Sequence, residues 1–395
     1  MDNKKNTINI LLLGSGTQAY AIVKDLAKDG GRLYIVVNET GNYGDDSKYI
    51  YKRYVCHNPV GSEEYKSYII QLIQSERIEI VLPMGDVLAE FVSKNKEELG
   101  RLSHIQAPDY NAFLKGYDKN QLMCLCQEKG YPHPLTIDLS EHDYLDKKQF
   151  ESFPFPGLLK PNCTTGGRGM TLIENYDELC NKYPGVHKEY GECHLQRFVR
   201  DGGKQIKIQI YVKDDGTIVA SSVLDKARWY PVKGGASCCA ITTKNDKMVE
   251  ICHQILNDLG WVGFADFDTI EDPDTGEVLI MEINPRLPAC IGASVFAGVN
   301  WGEILVNGAL DKPQSNYICK EGVALRHLGF DILWFLHSPN RWKAKPSWFH
   351  FFGSNIFYQD FHFWDPIPFF VGTYHNIKKL FDPSFKKAKS GTSGI

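Results

Sequence analysis

The chain has 395 residues, of which 43% are hydrophobic, and a formal net charge of −4. This length predicts two or three domains with sizeable cores. The slight negative charge, without a basic block, argues against a nucleic-acid-binding protein, and no apolar run reaches transmembrane length. The first mainly apolar segment, residues 8–13, is too short for the core of a secretory signal. Eleven cysteines without a framework spacing are typical of reduced thiols in a cytoplasmic protein.

Alternating strands and helices are predicted for the first part of the chain. Residues 8–13, 33–37 and 78–83 are short, mainly apolar segments typical of buried parallel strands. A helix is predicted between the first two runs, ending at Leu26. This βαβ alternation predicts a doubly wound, Rossmann-like α/β domain, which we place at residues 1–115.

A glycine-bearing turn, Gly14-Ser15-Gly16-Thr17-Gln18-Ala19, follows the first predicted strand. Its Gly-x-Gly-x-x-Ala spacing could cradle the pyrophosphate of a dinucleotide such as NAD. However, Glu39 is the only acid near the place where a ribose-binding acid is expected. An NAD-binding oxidoreductase therefore stays open as an alternative. Otherwise the glycines serve a tight turn next to part of the substrate.

A second glycine-bearing segment follows in the middle of the chain. Asp118-Lys119 opens a predicted helix that stops at Gly130. Further on, residues 157–161 form a short apolar strand that ends in Lys160-Pro161. The loop after this strand contains Thr164, Thr165, Gly166, Gly167, Arg168 and Gly169. Its backbone N–H groups could wrap phosphate oxygens, with Lys160 and Arg168 supplying positive charge. It is not a Walker A motif, and an ordinary hairpin loop is the alternative.

Three polar side chains follow a predicted buried strand at residues 278–281. Glu282, Asn284 and Arg286 occupy alternate positions, which places all three on one face of an extended segment. Two oxygen-bearing side chains suit Mg²⁺ (or Mn²⁺), and the arginine beside them suits a phosphate. The alternative is a structural salt-bridge cluster at the end of a strand.

A further metal ligand is predicted upstream, in the strand pattern of residues 263–268. If the charged segment 271–277 closes a hairpin, Asp266 can lie beside Glu282. The sequence leaves open whether Asp268 also binds the metal.

The motif Glu-x-Asn-Pro-Arg at residues 282–286, with an acidic strand before it, resembles the metal-binding end of the ATP-grasp family. Carbamoyl-phosphate synthetase-like and D-aspartate ligase-like proteins belong to that family. The resemblance implies a mixed α/β and α+β architecture in which the first domain is the family's pre-ATP-grasp domain. A two-lobed ATP-grasp domain would occupy residues 116–325, with a small lobe at 116–192 and a large lobe at 193–325. Residues 326–395 would form a C-terminal extension.

The resemblance also implies roles in binding ATP. A lysine at an Asp-Lys helix start contacts nucleotide phosphate in the family, which indicates Lys119. The family's strand lysine before the glycine-rich lid indicates Lys160. The residues that correspond to the family's adenine-binding hinge are Gln196, Phe198 and Val199. Lys204 and Gln205 stand where many relatives have an acid.

The implied activity is that of an ADP-forming carbon–nitrogen ligase that uses ATP and Mg²⁺. A small-molecule carboxylate takes the phosphoryl group, and an amine attacks the resulting acyl phosphate. Arg286 and Arg228, the latter in a basic aromatic segment, would stabilise this intermediate. The alternatives are a carbamoyl-phosphate synthase-like or carboxylase-like enzyme that phosphorylates bicarbonate, and a nucleotide-binding module that no longer catalyses.

Residues 330–370 are dense in Phe, Trp, His, Tyr and Pro. This composition predicts either an added lobe packed on the catalytic domain or a surface that faces a membrane or a glycan. A cell-envelope or polysaccharide precursor is therefore one candidate substrate. The resemblance is also compatible with a homodimer.

Overall fold

The computed structural model describes residues 7–164, 167–232 and 235–380. The strands in these ranges form one sheet of seven strands and two of four. This mixed arrangement of sheets and helices agrees with the predicted α/β and α+β class.

The first sheet is parallel and has the strand order β3-β2-β1-β4. Its strands are β1 (Ile8–Leu13), β2 (Gly31–Val37), β3 (Ile50–Val55) and β4 (Ile80–Pro83). Its helices are α1 (Thr17–Leu26), α2 (Glu63–Glu76), α3 (Asp86–Lys94), α4 (Lys96–Gly100) and α5 (Tyr110–Tyr117). Alternate residues of β1 belong to two different cores, Ile10 to one and Leu11 to the other. Burial on both faces explains why residues 10–13 of β1 are all apolar.

The second sheet is small, antiparallel and ordered β5-β8-β6-β7. Its strands are β5 (Thr136–Asp138), β6 (Gly157–Pro161), β7 (Thr171–Ile173) and β8 (Cys193–Arg197). Its neighbouring helices are α6 (Lys119–Lys129) and α7 (Tyr176–Tyr190). The predicted start and stop of α6 are observed. The Asp118 side chain accepts a hydrogen bond from the Gln121 N–H, and Gly130 ends the helix with φ 74°.

The third sheet has seven strands in the order β13-β12-β9-β10-β11-β14-β15, antiparallel except for β14 and β15. Its first strands are β9 (Gln205–Val212), β10 (Ile218–Tyr230), β11 (Ala236–Thr243) and β12 (Gly263–Glu271). The remaining ones are β13 (Val278–Asn284), β14 (Ala324–Arg326) and β15 (Ile356–Tyr358). The helices are α8 (Asp246–Leu259), α9 (Gly292–Phe296), α10 (Trp301–Ala309), α11 (Leu328–His337) and α12 (Ile367–Leu380).

Two predicted domain boundaries fall inside regular elements. The boundary after residue 115 lies within α5, and the one after residue 325 lies within β14. Because β15 also belongs to the large sheet, part of the aromatic-rich region is built onto that sheet.

Membrane-spanning potential is limited in the described ranges. No single helix there is long and apolar enough to cross a membrane. The bent pair of residues 289–296 and 301–309 reaches the required length and composition only when taken together.

A buried ion triad holds α11 against the large sheet. Asp331 on α11 accepts hydrogen bonds from Arg228 Nε at 2.6 Å and Nη2 at 2.9 Å, and from Arg326 Nε at 2.7 Å. Each of the three residues is at most 2% exposed. The arginines also donate to the carbonyls of Pro346, Trp348 and His350. The predicted role of Arg228 in stabilising the acyl phosphate is therefore corrected, because its guanidinium is bound to the carboxylate of Asp331.

Replacing Asp331 with Ala should lower the free energy of unfolding by about 3–5 kcal/mol, because two buried guanidinium groups lose their counter-ion. Denaturant unfolding measures the loss. Asp274→Ala is the control, since Asp274 pairs with Arg200 at the surface, where their side chains are 55% and 63% exposed. The control should lose less than about 1 kcal/mol. Equal losses in the two variants would contradict the assigned role of the triad.

Candidate active site

The hairpin of β12 and β13 places four oxygen-bearing side chains at neighbouring positions of the two strands. In the strand register Asp266 lies opposite Asn284, and Asp268 lies opposite Glu282. Asn284 Nδ2 joins the two aspartates, at 3.3 Å from Asp266 Oδ2 and 3.0 Å from Asp268 Oδ2. The hairpin closes as expected, and its register places Asp266 diagonally across from Glu282. Asp268 is the direct neighbour of Glu282, and Asp266 is the diagonal one.

A lysine on the neighbouring strand β9 compensates the two aspartates. Lys207 lies opposite Asp268 in the register, and its Nζ is 2.7 Å from Asp266 Oδ2 and 2.9 Å from Asp268 Oδ1. Lys207 was not identified from the sequence. The available signal was its position between Gln205 and Gln209, which makes every second residue of an otherwise apolar strand polar.

The two aspartates respond differently to this environment. Burial raises the pKa of Asp266 to about 6, although the Lys207 charge opposes the rise. Burial acts in the same way on Asp268, but the charges of Lys207 and Lys226 outweigh it and hold the pKa of that carboxyl well below its usual range. Asp268 is thus the firmly ionised member of the pair.

Two further lysines approach from the small sheet and its neighbouring helix α6. Lys119, the first residue of α6, places its Nζ 3.3 Å from Glu282 Oε2 and donates to the Thr164 carbonyl at 2.6 Å. Lys160 on β6 is 5% exposed and donates to Gln196 Oε1 at 2.5 Å. The predicted phosphate lysines and the predicted metal hairpin therefore meet in one place.

In the described part of the glycine-rich loop, the local backbone conformation and packing explain the glycines. Gly167 and Gly169 have φ of 73° and 77°, in the left-handed region that side chains disfavour. A Cβ on Gly169 would come within 2.8 Å of the Pro161 and Tyr190 side chains. Thr164 Oγ1 donates to the Arg168 carbonyl at 2.9 Å. Thr165 and Gly166 lie outside the described residues.

The hinge predicted to hold adenine covers the end of β8 and the two residues after it. The N–H of Phe198 donates to the Pro156 carbonyl at 3.1 Å, so this group is not available to a base. The Gln196 side chain accepts from Lys160 and donates to Thr136 Oγ1 at 3.1 Å. Val199 is buried at 7% exposure. Gln196 therefore lies on the phosphate-lysine side of the hinge.

Arg286 continues the hairpin toward the first sheet. Its Nε is 3.0 Å from Asp86 Oδ1, and its Nη2 donates to Asp86 Oδ2 at 3.3 Å. Asp86, which the sequence analysis did not identify, is the first residue of α3 and follows the carboxyl end of β4. This two-point contact fixes the direction of the guanidinium at the edge of the site.

The turn that suggested a dinucleotide site is filled by its own neighbours. A Cβ on Gly14 would meet Leu88 at 2.7 Å, and one on Gly16 would meet the Gln18 amide at 2.6 Å. Ser15 Oγ donates to Asp45 Oδ1 at 3.0 Å, and Gln18 Nε2 donates to the Met84 carbonyl at 2.6 Å. These contacts account for both glycines without a bound pyrophosphate, as the tight-turn alternative expects.

The donor set of the hairpin fits a hard divalent cation. In the described residues no group of three or more His, Cys, Asp and Glu side chains is arranged to hold a metal by itself. The predicted set differs because one of its members, Asn284, is an amide. Asp266 Oδ1 is buried without a hydrogen-bond partner, which is costly for a carboxylate oxygen unless a ligand satisfies it. Carboxylate and amide oxygens suit Mg²⁺ or Mn²⁺.

Comparison with known proteins agrees with this geometry. Residues 227–328 match the family described as "ATP-grasp in the biosynthetic pathway with Ter operon". The chain contains an ATP-grasp domain. A D-aspartate ligase from Enterococcus faecium is 25% identical over 226 residues, which cover 52% of this chain and 53% of the relative. The C-terminal section of a carbamoyl phosphate synthase large chain from Methanopyrus kandleri is 20% identical, over 74% of this chain and 56% of the relative.

The chain spans little more than half the length of these two curated relatives. Among solved structures, a biotin carboxylase complex from Campylobacter jejuni has a TM-score of 0.67 at 18% identity. The similarity covers 82% of this chain and 75% of that one. At this identity the similarity is one of fold, and it extends well beyond residues 227–328.

The environment of Lys160 predicts a pH-dependent nucleotide affinity. Burial lowers the pKa of Lys160 to about 8, with Glu282 opposing the shift and Lys119 adding to it. As the pH rises from about 7 to about 9.5 the ammonium loses its proton, so the affinity for Mg·ATPγS should fall about tenfold or more. Lys160→Arg is the control, because arginine keeps its charge over this range. Calorimetry that gives the same pH dependence for both proteins would exclude this role.

Proposed function

We propose that the protein is an ATP- and Mg²⁺-dependent ligase that activates a carboxylate as an acyl phosphate and joins it to an amine, with release of ADP and phosphate. The observation that carries the proposal is the 3.3 Å approach of Lys119 Nζ to Glu282 Oε2. It brings the cationic side of the small sheet against the acidic hairpin of the large sheet. A triphosphate needs both kinds of group, cations for its oxygens and acids for its metal.

The phosphates of ATP would bind between these two sides. Lys119 and Lys160, with the loop of residues 164–169, would contact the phosphate oxygens. Lys119 would exchange Glu282 for phosphate, which leaves Glu282 free to bind a metal together with Asp266 and Asn284. Magnesium bound there supplies charge neutralisation to the transferred phosphoryl group.

The reaction then consists of two transfers. A substrate carboxylate oxygen attacks the γ-phosphorus, and ADP leaves. The amine attacks the acyl carbon, phosphate leaves, and the amine gives up a proton as the amide forms. Arg286, held in place by Asp86, would bind the phosphate oxygens of the acyl phosphate. Arg228 has no part in this scheme, because it is bound to Asp331.

The carboxylate–amine class is supported by the similarity to the D-aspartate ligase, whose name describes such a reaction. Phosphorylation of bicarbonate, suggested by the similarity to carbamoyl phosphate synthase, is the alternative for the same site. A screen for ADP release tests both. Amino acids and other small carboxylates are offered with and without amines, and bicarbonate is offered separately. ADP release that requires a carboxylate and an amine together supports the ligase. Release with bicarbonate alone contradicts it.

Replacing Glu282 or Asn284 with Ala should reduce Mg²⁺-dependent ADP release at least about 100-fold, because each removes an oxygen ligand from the hairpin. Circular dichroism should show an unchanged fold. Glu277→Ala is the matched control, since Glu277 is an exposed acid in the turn of the same hairpin. Turnover equal to that of the control in either variant would remove the metal assignment.

A further inference from the structure

Helix α12 packs on the first part of the chain through small and polar residues. Gly372 is buried, and a Cβ there would come within 2.7 Å of the Tyr43 ring. Asn376 Nδ2 donates to the Tyr43 hydroxyl at 3.3 Å. His375 Nε2 lies 3.8 Å from a carboxylate oxygen of Glu39. These inner contacts of the helix are therefore made by a glycine and by polar side chains.

Four large apolar or aromatic residues of α12 face outward. Ile367, Phe370, Tyr374 and Ile377 are 58%, 66%, 71% and 50% exposed. Their spacing of three, four and three residues places them on one side of the helix, and we call these four residues the apolar stripe. A surface helix normally buries its apolar side against the core, so this arrangement is inverted. The exposed stripe marks a contact surface rather than a core element.

Aromatic rings widen the surface next to the first turn of α12. Phe363, which is 86% exposed, lies 4.8 Å from Phe361 between ring centroids. Phe361 lies 5.4 Å from Phe369, and Phe369 lies 5.4 Å from Phe370 of the apolar stripe. Phe363 and the stripe therefore belong to one continuous patch of apolar rings.

The charge of this end of the chain is opposite to that of the rest. Residues 367–395 contain five lysines and one aspartate, a formal charge of +4, whereas the whole chain has −4. The other 366 residues therefore carry −8. Lys378 and Lys379 follow Ile377 directly in the sequence. An occupant of this surface must accept both apolar side chains and positive charge.

We infer that the apolar stripe, together with Lys378 next to it in the sequence, binds the surface of a membrane that carries anionic lipid. Amphipathic helices of this kind lie in the plane of the interface, with Phe and Ile among the acyl chains and lysines at the headgroups. Tyrosine prefers the same boundary. A second copy of this chain fits less well, because it would bring two positively charged ends together. This peripheral attachment goes beyond the ligase chemistry and does not depend on it.

Vesicle flotation with the full chain tests the inference. Vesicles of phosphatidylcholine with about 30% phosphatidylglycerol should bind the protein, and vesicles of phosphatidylcholine alone should bind it at least about tenfold less. Raising the salt concentration to about 0.5 M should weaken the binding, because the lysine contribution is screened. Equal binding to both kinds of vesicle, or binding to neither, would overturn the inference.

A matched pair of double variants tests the apolar stripe itself. Tyr374→Gln with Ile377→Gln should reduce binding to the anionic vesicles at least about tenfold. The control is Tyr51→Gln with Ile318→Gln, since these residues are 62% and 78% exposed elsewhere on the molecule. Thermal unfolding checks that both variants fold. Equal binding by the two variants would overturn the inference, and so would a wild-type dimer that only the stripe variant converts to a monomer.

Discussion

The acidic side chains at the hairpin of β12 and β13 are paired with lysines from other elements. Asp266 is fully buried, and a carboxylate in that position is tolerated only with a compensating charge. Lys207 provides this charge from β9, and Lys119 provides it to Glu282 from the start of α6. The same charge balance joins the small sheet to the large one. It also prepares the site for a ligand that carries both anionic oxygens and a divalent cation.

Local elements of this chain are predictable because their signals are local. The bounds of β1 and β6 agree with the predictions, since β1 ends just before a glycine and β6 ends at a proline. The pairing of strands is less accessible. The two-residue repeat of a strand shows that Glu282 and Asn284 share one face. Which residues of β12 lie opposite them depends also on an irregularity in the strand pairing between Asp268 and Thr269.

The two arginines and the missed lysine show where prediction from the sequence stops. Arg228 looked like a ligand-binding residue of a basic segment, yet its partner Asp331 lies 103 residues further on. Lys207 gains its importance only because β9 lies beside β12, a neighbourhood that the chain order does not indicate. Arg286 is the converse case, because its motif was recognised while its anchor, Asp86, lies 200 residues earlier. Long-range partners decide whether a charged residue is structural or available to a ligand.

The most direct test of the central claim is a crystal structure of the protein with Mn²⁺ and a non-hydrolysable ATP analogue. The account predicts phosphates between Lys119 and Lys160 on one side and the hairpin acids on the other. The anomalous signal of Mn²⁺ should lie within bonding distance of Asp266 and Glu282. A nucleotide whose phosphates lie at the Gly14–Gln18 turn, or a Mn²⁺ signal away from the hairpin, would contradict it.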